Sequence, residues 1–383
     1  MVNILTRAIM MSTPLLLGAL AEVYAERTGM MICAIEGIFL IGAWGGFVGT
    51  YLSGSLLVGL LLAIALGGLM ALLYAFVTVT LGQQQVVTGT AMNILAVGFC
   101  SYFQRVLFGV PTTPLQIDTL PKLSIPLLSK IPFIGEIFFQ QNILTYMAYI
   151  LIPVSIFVLY KTSLGLAIRS TGENPVAVDV AGLPVNRIRF LTVLVAGCIG
   201  GLAGSFYTVG YLGMFSSNII GGRGWIAFAI CFLGNWSPKG AVLGTLAFGL
   251  ADALSIYFRT GTTAVPTELI IALPYILTIV LTIFRSNFRV PAKLGVPYRK
   301  EGRVCPGYTQ SCNMRKSTPR GAFSAGAGVS SPRKCRCAKC YLYPKSCHRK
   351  NKLRNKKLYQ EYSVTFPGIP FVSNSKSYLK KFF

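Results

Sequence analysis

Few side chains in this sequence could do chemistry, and their positions restrict what that chemistry could be. The one histidine among 383 residues is His348. Residues 1–303 therefore hold no Ser/His/Asp set for nucleophilic catalysis. The pair Gly-Lys occurs nowhere, which removes the GxxxxGK[ST] loop that cradles nucleotide phosphates. No covalent chemistry and no bound cofactor are expected, so any work must draw on a membrane potential, an ion gradient or an ATPase on another chain. What remains are single polar side chains inside apolar runs: Glu36, Gln85, Thr88 and Asn93, with Asp252 weaker and Trp44 a stacking surface. They suit a small polar ligand, provided their hydrogen bonds stay satisfied when the site is empty. They also suit glue between helices, the more ordinary reading of Thr88 and Asn93. A carboxylate at depth, Glu36, is harder to explain as glue. Asp252 reads as lying near a membrane edge.

These residues are positioned by membrane spans. Hydrophobic residues make up 53% of the chain and charged residues 12%, against about 25% charged in soluble domains. The mean hydropathy is +0.62. Several apolar runs exceed the roughly 20 residues that cross a hydrocarbon core. The fold class is all-α, a polytopic membrane protein of about eight to ten spans. Residues 1–28, despite a signal-like pattern, are read as the first span. Others run over 30–51, 55–80, 84–108, 143–160 and 190–212. Two shorter passes, 222–236 and 240–258, follow an external turn at 216–224, and 267–284 is the last. Five prolines between Pro111 and Pro132 make 109–142 an external loop with interfacial pieces. Gly42 and Gly46 in one span, and Gly197, Gly201 and Gly204 in another, are spaced for close helix contact.

One polar interval, 161–189, carries a short helix with written boundaries. Asn174 is a good N-cap, Pro175 suits the first helical position, Gly182 can take a left-handed cap and Pro184 stops continuation. The enclosed Val176–Ala181 is too short to be stable alone and offers Val176, Ala177, Val180 and Ala181 as an apolar side. Lys161, Arg169, Arg187 and Arg189 outnumber Glu173 and Asp179, which places the loop in the cytoplasm. A capped, docking-competent helix there reads as a handle for a cytoplasmic partner, set against an ordinary cytoplasmic loop. Counting five spans before it puts the N-terminus outside, unless a hidden break near Gly29 or residue 54 reverses the count.

The stretch AIRSTGENPVAVDVAGLPVNRIRF resembles the coupling-helix loop of ABC-importer permeases for nucleosides and simple sugars, in the broader group that also handles branched-chain amino acids and ribose. The order of TPLLLGALAEVYAERTGMM, AIEG, QQVVTGTAMNILAVG and FSSNIIGGRGWIAFAICFLGNWSPKGAVLGTLAFGLADALSI agrees, over about 1–303. The resemblance implies a permease subunit in the plasma (inner) membrane, not an enzyme. It implies a second permease subunit, homologous to this one and not identical to it. It implies ATPase subunits that dock at Gly172, Glu173, Asn174, Pro175, Val176, Ala177, Val180, Ala181 and Gly182 and consume the ATP, and an extracellular substrate-binding lipoprotein. The family's Asn-Ile-Gly-apolar-Glu-Gly run reads Ile-Cys-Ala-Ile-Glu-Gly at 32–37, which weakens transfer of substrate preference but not of architecture. A gradient-driven transporter using Glu36 or Asp252, and a membrane scaffold with a lipid- or RNA-binding tail, are the alternatives.

The tail, 304–383, stands apart. It holds 17 Lys+Arg and one acid, against 18 and 10 in 1–303, so the net charge of +24 is no argument that the body binds nucleic acid. CRCAKC at 335–340 with Cys347-His348 fits no paired zinc-knuckle spacing well, and no metal is expected. The tail reads as an unstructured appendage or the product of a shifted reading frame.

Overall fold

The computed structural model describes residues 2–109, 113–124, 134–260, 273–284 and 288–298. In chain order its helices are α1 (Val2–Glu26), α2 (Ile35–Ser53), α3 (Leu56–Ala75), α4 (Gln85–Phe108), α5 (Ile134–Phe138), α6 (Ile143–Lys161), α7 (Ser163–Glu173), α8 (Pro175–Val180), α9 (Val185–Ser205), α10 (Arg223–Leu233), α11 (Pro238–Thr260) and α12 (Leu273–Phe284). Wider π-helical turns continue α3 through Phe76–Thr80 and α9 through Phe206–Leu212. The strands described are a two-residue antiparallel pair, Leu123–Ser124 with Gln140–Gln141. Seven helices among the described residues, α1, α2, α3, α4, α6, α9 and α11, are long and apolar enough to cross a membrane. The fold is all-α and polytopic. The first part of the 267–284 span and the whole tail lie outside the described residues.

The first span is the most enclosed. From Met11 to Glu26 every residue of α1 is buried, with α6, α9, α10 and α11 packed around it. That suits a helix apolar on all sides. Beside it, α2, α3 and α9 meet through glycine. A methyl group at Gly42 would overlap the carbonyl oxygen of Gly201, one at Gly197 would overlap Ala71, and one at Gly204 would overlap the carbonyl of Phe39. Gly46 lies against Ser205. All five glycines singled out by spacing therefore sit where backbones approach closely, which is the basis of small-residue packing in membranes.

The two ends of the bundle are marked by loop contacts. At one end Ile117 N–H donates to Gly213 O (2.8 Å) and Leu120 N–H to Val209 O (2.9 Å). Gln141 Nε2 reaches Thr6 O (3.4 Å), so the N-terminal end of α1 lies with this loop. At the other end Gly172 O accepts from Lys293 N–H (2.9 Å) and Gly29 O from Gly295 N–H (3.0 Å). Five crossings, α1–α4 and α6, therefore precede the 161–189 interval, and the N-terminus lies at the end opposite to it. No break at Gly29 or residue 54 reverses the count, because α1 crosses to the end that holds Gly29 and the chain crosses back through residues 30–34 and α2.

Three segments depart from the sequence expectation. The second span begins at Ile35, and residues 30–34 are not helical. The interval 161–189 holds a second helix, α7, which Thr162 caps by accepting from Gly165 N–H (3.1 Å). The segment 216–224 is a turn with Ser216, Ser217 and Asn218 exposed, but it also turns inward: Ile219 and Ile220 are buried, and Gly222 N–H donates to Glu36.

Candidate functional site

The helix α8 forms where its capping chemistry puts it. Asn174 Oδ1 accepts from Ala177 N–H at 3.1 Å, Pro175 occupies the first turn, and Gly182 has φ +87°. Pro175 and Val178 turn inward and are buried. Val176, Ala177, Val180 and Ala181 face out, Val180 with 83% of its surface exposed. The helix and its C-cap residue thus present two valines and two alanines to the outside. Behind it the loop is anchored firmly. Gly172 lies against the backbone of Arg27 so closely that a methyl group would overlap the Arg27 carbonyl, and Glu173 Oε2 accepts from Ala292 N–H (3.3 Å).

The second locus is the carboxylate of Glu36, in the first turn of α2. It accepts from the backbone N–H groups of Gly222 and Gly224, both at 2.8 Å. These amides open α10, so the acid sits at the positive end of a helix. A side chain at Gly224 would collide with Glu36, which explains the glycine. The far end of α10 is tied to the end of α1. Arg27 Nε donates to Trp236 O at 2.6 Å, and Trp236 Nε1 donates to Glu26 Oε2. Eleven residues span about 16 Å, about half of a ~30 Å hydrocarbon core. The turn at 222–224 therefore lies part-way through the membrane thickness, and α10 is a half-crossing. Irregular backbone is tolerated at that depth only when buried in protein or lining a cavity; here Gly222 is half-buried and Gly224 buried.

Residues 30–34 are a second irregular segment, and two of the singled-out polar residues satisfy its backbone and that of the first turn of α2 after it. Gln85 Oε1 accepts from Met31 N–H (2.8 Å). Asn93 accepts from Gly37 N–H (2.8 Å) and donates to Cys33 O (2.9 Å). Tyr74 OH donates to Met31 O. Glu36, Gln85 and Asn93 thus come together around one stretch of chain, though as its supports. Thr88 bonds within its own helix, to Gln84 O (2.9 Å). Trp44 is enclosed, with Nε1 on Gln104 Oε1 (3.1 Å) and its ring against Phe99 and Phe103. Asp252 lies 3.6 Å from Arg223, whose guanidinium is 5.3 Å from the Tyr207 ring centre.

Sequence reading missed Arg223, Arg27, Glu22 and Glu26. The last two are fully buried one helical turn apart on α1. A charged residue inside a span was the available signal, but both glutamates stand near a helix end, where charge is ordinary. Among the described residues no group of three or more His, Cys, Asp and Glu side chains is arranged to hold a metal ion.

The family model described as branched-chain amino acid transport system / permease component matches residues 4–282. The chain is 36% identical over 306 residues to the guanosine ABC transporter permease protein NupQ of Bacillus subtilis, covering 76% of this chain and 95% of NupQ. It is 34% identical over 307 residues to the nucleoside ABC transporter permease protein NupC of Lactococcus lactis, covering 78% and 96%. It is 33% identical over 258 residues to the putative glucose ABC transporter permease protein TsgC13 of Haloferax volcanii, covering 66% and 77%. No solved structure matches the chain.

Proposed function

Because the chain belongs to the branched-chain amino acid transport system permease family, we propose that it is the membrane-spanning subunit of an ATP-driven importer of nucleosides, with simple sugars the second substrate class. Two relatives that it covers over nearly their full length carry guanosine or nucleoside in their names, and one covered over 77% of its length carries glucose, which supports that order. The observation that carries the mechanism is α8, a capped helix with Val176 and Val180 held outward. ATPase subunits dock there, a second, homologous permease completes the pathway, and an extracellular binding lipoprotein delivers substrate at the end that holds 113–124. The assembly lies in the plasma membrane with α8 in the cytoplasm, in keeping with the basic residues gathered at that end.

In this reading the permease performs differential binding, since a ligand shifts an equilibrium only by contacting its two states differently. Glu36 is the residue whose bonds must change between states. Gln85 and Asn93 keep the irregular 30–34 segment and the start of α2 satisfied as they move, while Thr88 and Trp44 line the pathway from α4 and α2. The test is uptake of labelled guanosine and glucose into vesicles holding the full assembly, with ATP supplied on the α8 side. ATP-dependent guanosine uptake is expected; uptake driven by an ion gradient without ATP contradicts the reading.

A further inference from the structure

Residues 288–298 follow the last span, and their neighbours are unusual for a segment outside the bundle of spans. Within eleven residues they bond to four separate parts of the bundle. Arg289 N–H donates to Asn235 Oδ1 (2.8 Å), in the turn between α10 and α11. Ala292 N–H and Lys293 N–H donate to Glu173 Oε2 (3.3 Å) and Gly172 O (2.9 Å), at the base of α8. Gly295 N–H donates to Gly29 O (3.0 Å), in the turn from α1 toward α2. Val296 O accepts from Arg189 Nη1 (3.0 Å), at the start of α9.

The contacts are close as well as numerous. Gly29 and Gly295 are both left-handed, with φ +84° and +73°, and a methyl group at Gly29 would lie 2.8 Å from Lys293 O. Arg189 is 1% exposed yet spends its guanidinium on this segment, 6.0 Å from the Tyr298 ring centre. The turn at Asn235 and Trp236 is held with positive φ, 58° and 53°, a conformation uncommon for such residues and maintained only where the surroundings fix it. Arg27 supplies part of that fixing through Trp236 O.

Resting on the importer reading above, we propose that residues 288–298 are a transmission strap that carries displacement of α8 to the membrane core. A push on α8 moves Gly172, and Gly172 moves the strap through Lys293. The strap then acts at two places that both lead to Glu36. Gly29 begins the irregular segment that runs into α2 and Glu36 itself. Asn235 ends α10, whose opposite end supplies the amides on Glu36. Motion at the docking helix therefore reaches the Glu36 contact from both of its partners. Lys293, Gly295 and Asn235 are positioning residues in this scheme and touch no substrate.

A route through a structure needs coupling evidence, and ATP consumed per substrate moved supplies it. The full chain, assembled with its ATPases and binding protein in liposomes, is compared with Asn235→Gly and Lys293→Pro. The first removes the acceptor for Arg289 N–H while tolerating positive φ; the second removes the donor to Gly172 O. Both are expected to hydrolyse ATP at close to the normal rate while uptake per ATP falls about tenfold, the scale on which coupling residues act. If either variant does not assemble, Asn235→Cys with Arg289→Cys decides instead, because a disulfide there replaces by a covalent bond the joint that Asn235 makes with the strap. Uptake per ATP is expected to be low in reductant and to recover on oxidation, and equal uptake per ATP in the two conditions overturns the proposal. Unchanged uptake per ATP in both single variants also overturns it. A wild-type assembly without ATP-driven uptake would remove the importer reading and the strap with it.

Discussion

The carboxylate of Glu36 holds the amides of Gly222 and Gly224, both at 2.8 Å, and so joins two elements that would otherwise end unsupported inside the membrane. Helix α2 starts late, after an irregular stretch, and α10 starts half-way across. Each leaves free amides at its first turn. One acid on α2 serves the first turn of α10, and Asn93 serves the first turn of α2 through Gly37.

The first prediction concerns that acid. Hydrogen bonds to a charged group contribute about 1.5–3 kcal/mol each, so Glu36→Ala should lower uptake by well over tenfold in protein that still reaches the membrane. Glu36→Gln keeps one acceptor and should fall between. Asp252→Ala loses a 3.6 Å ion pair that is partly exposed and should do less. Uptake assays on matched amounts of inserted protein check the order, and a larger effect at Asp252 would move the functional site to α11.

Gln85 and Asn93 should behave as supports of the fold. Gln85→Leu strands Met31 N–H, and Asn93→Leu strands Gly37 N–H and Cys33 O. Leaving a buried group unpaired costs about 1–3 kcal/mol, so the midpoint of thermal aggregation in detergent should drop for both. Thr88→Val loses only a bond within its own helix and should leave the midpoint unchanged.

The glycine contacts make a sharper stability test. Gly42→Val and Gly201→Val place side chains into facing backbone, where overpacking costs about 1–3 kcal/mol or more. Little folded protein should be recovered. Gly98→Val is the control, because nothing lies within 4 Å of the position its Cβ would take. Size-exclusion profiles of the three variants separate the cases, and a monodisperse Gly201→Val would contradict the close crossing.

At α8, Asn174→Leu removes a cap contributing about 1 kcal/mol, a large share for a helix of six residues. Transport should fall while the amount of protein in the membrane stays constant. Asn174→Asp restores an acceptor for Ala177 N–H and should restore transport. Equal transport in all three would detach the cap from function.

What was legible in the sequence was local. Asn174, Pro175 and Gly182 fix α8 through chemistry within nine residues, and the apolar runs announce the long helices by length alone. The glycine pairs were legible as contacts, though not their partners. Helix α7 was hidden because Gly165 and Gly172 weaken its helical signal, and its stability comes from packing, such as Gly172 against Arg27. The half-crossing of α10 was hidden because an apolar stretch does not state its depth; the amides on Glu36 come from residues 186 and 188 positions away. The strap was hidden for the same reason. Its bonds to Gly172 and Gly29 are backbone to backbone and leave no mark on residue type beyond two glycines.

If an ATPase holds this protein at α8, co-purification measures it directly. The full chain is purified from the membrane beside a variant with Val176–Ala181 replaced by Ser and Gly, and the bound proteins are identified by mass spectrometry with an ATPase assay. The account predicts an ATPase subunit with the unaltered chain and its loss from the variant at equal permease yield. Equal ATPase recovery with both, or a solitary chain that still transports, would contradict it.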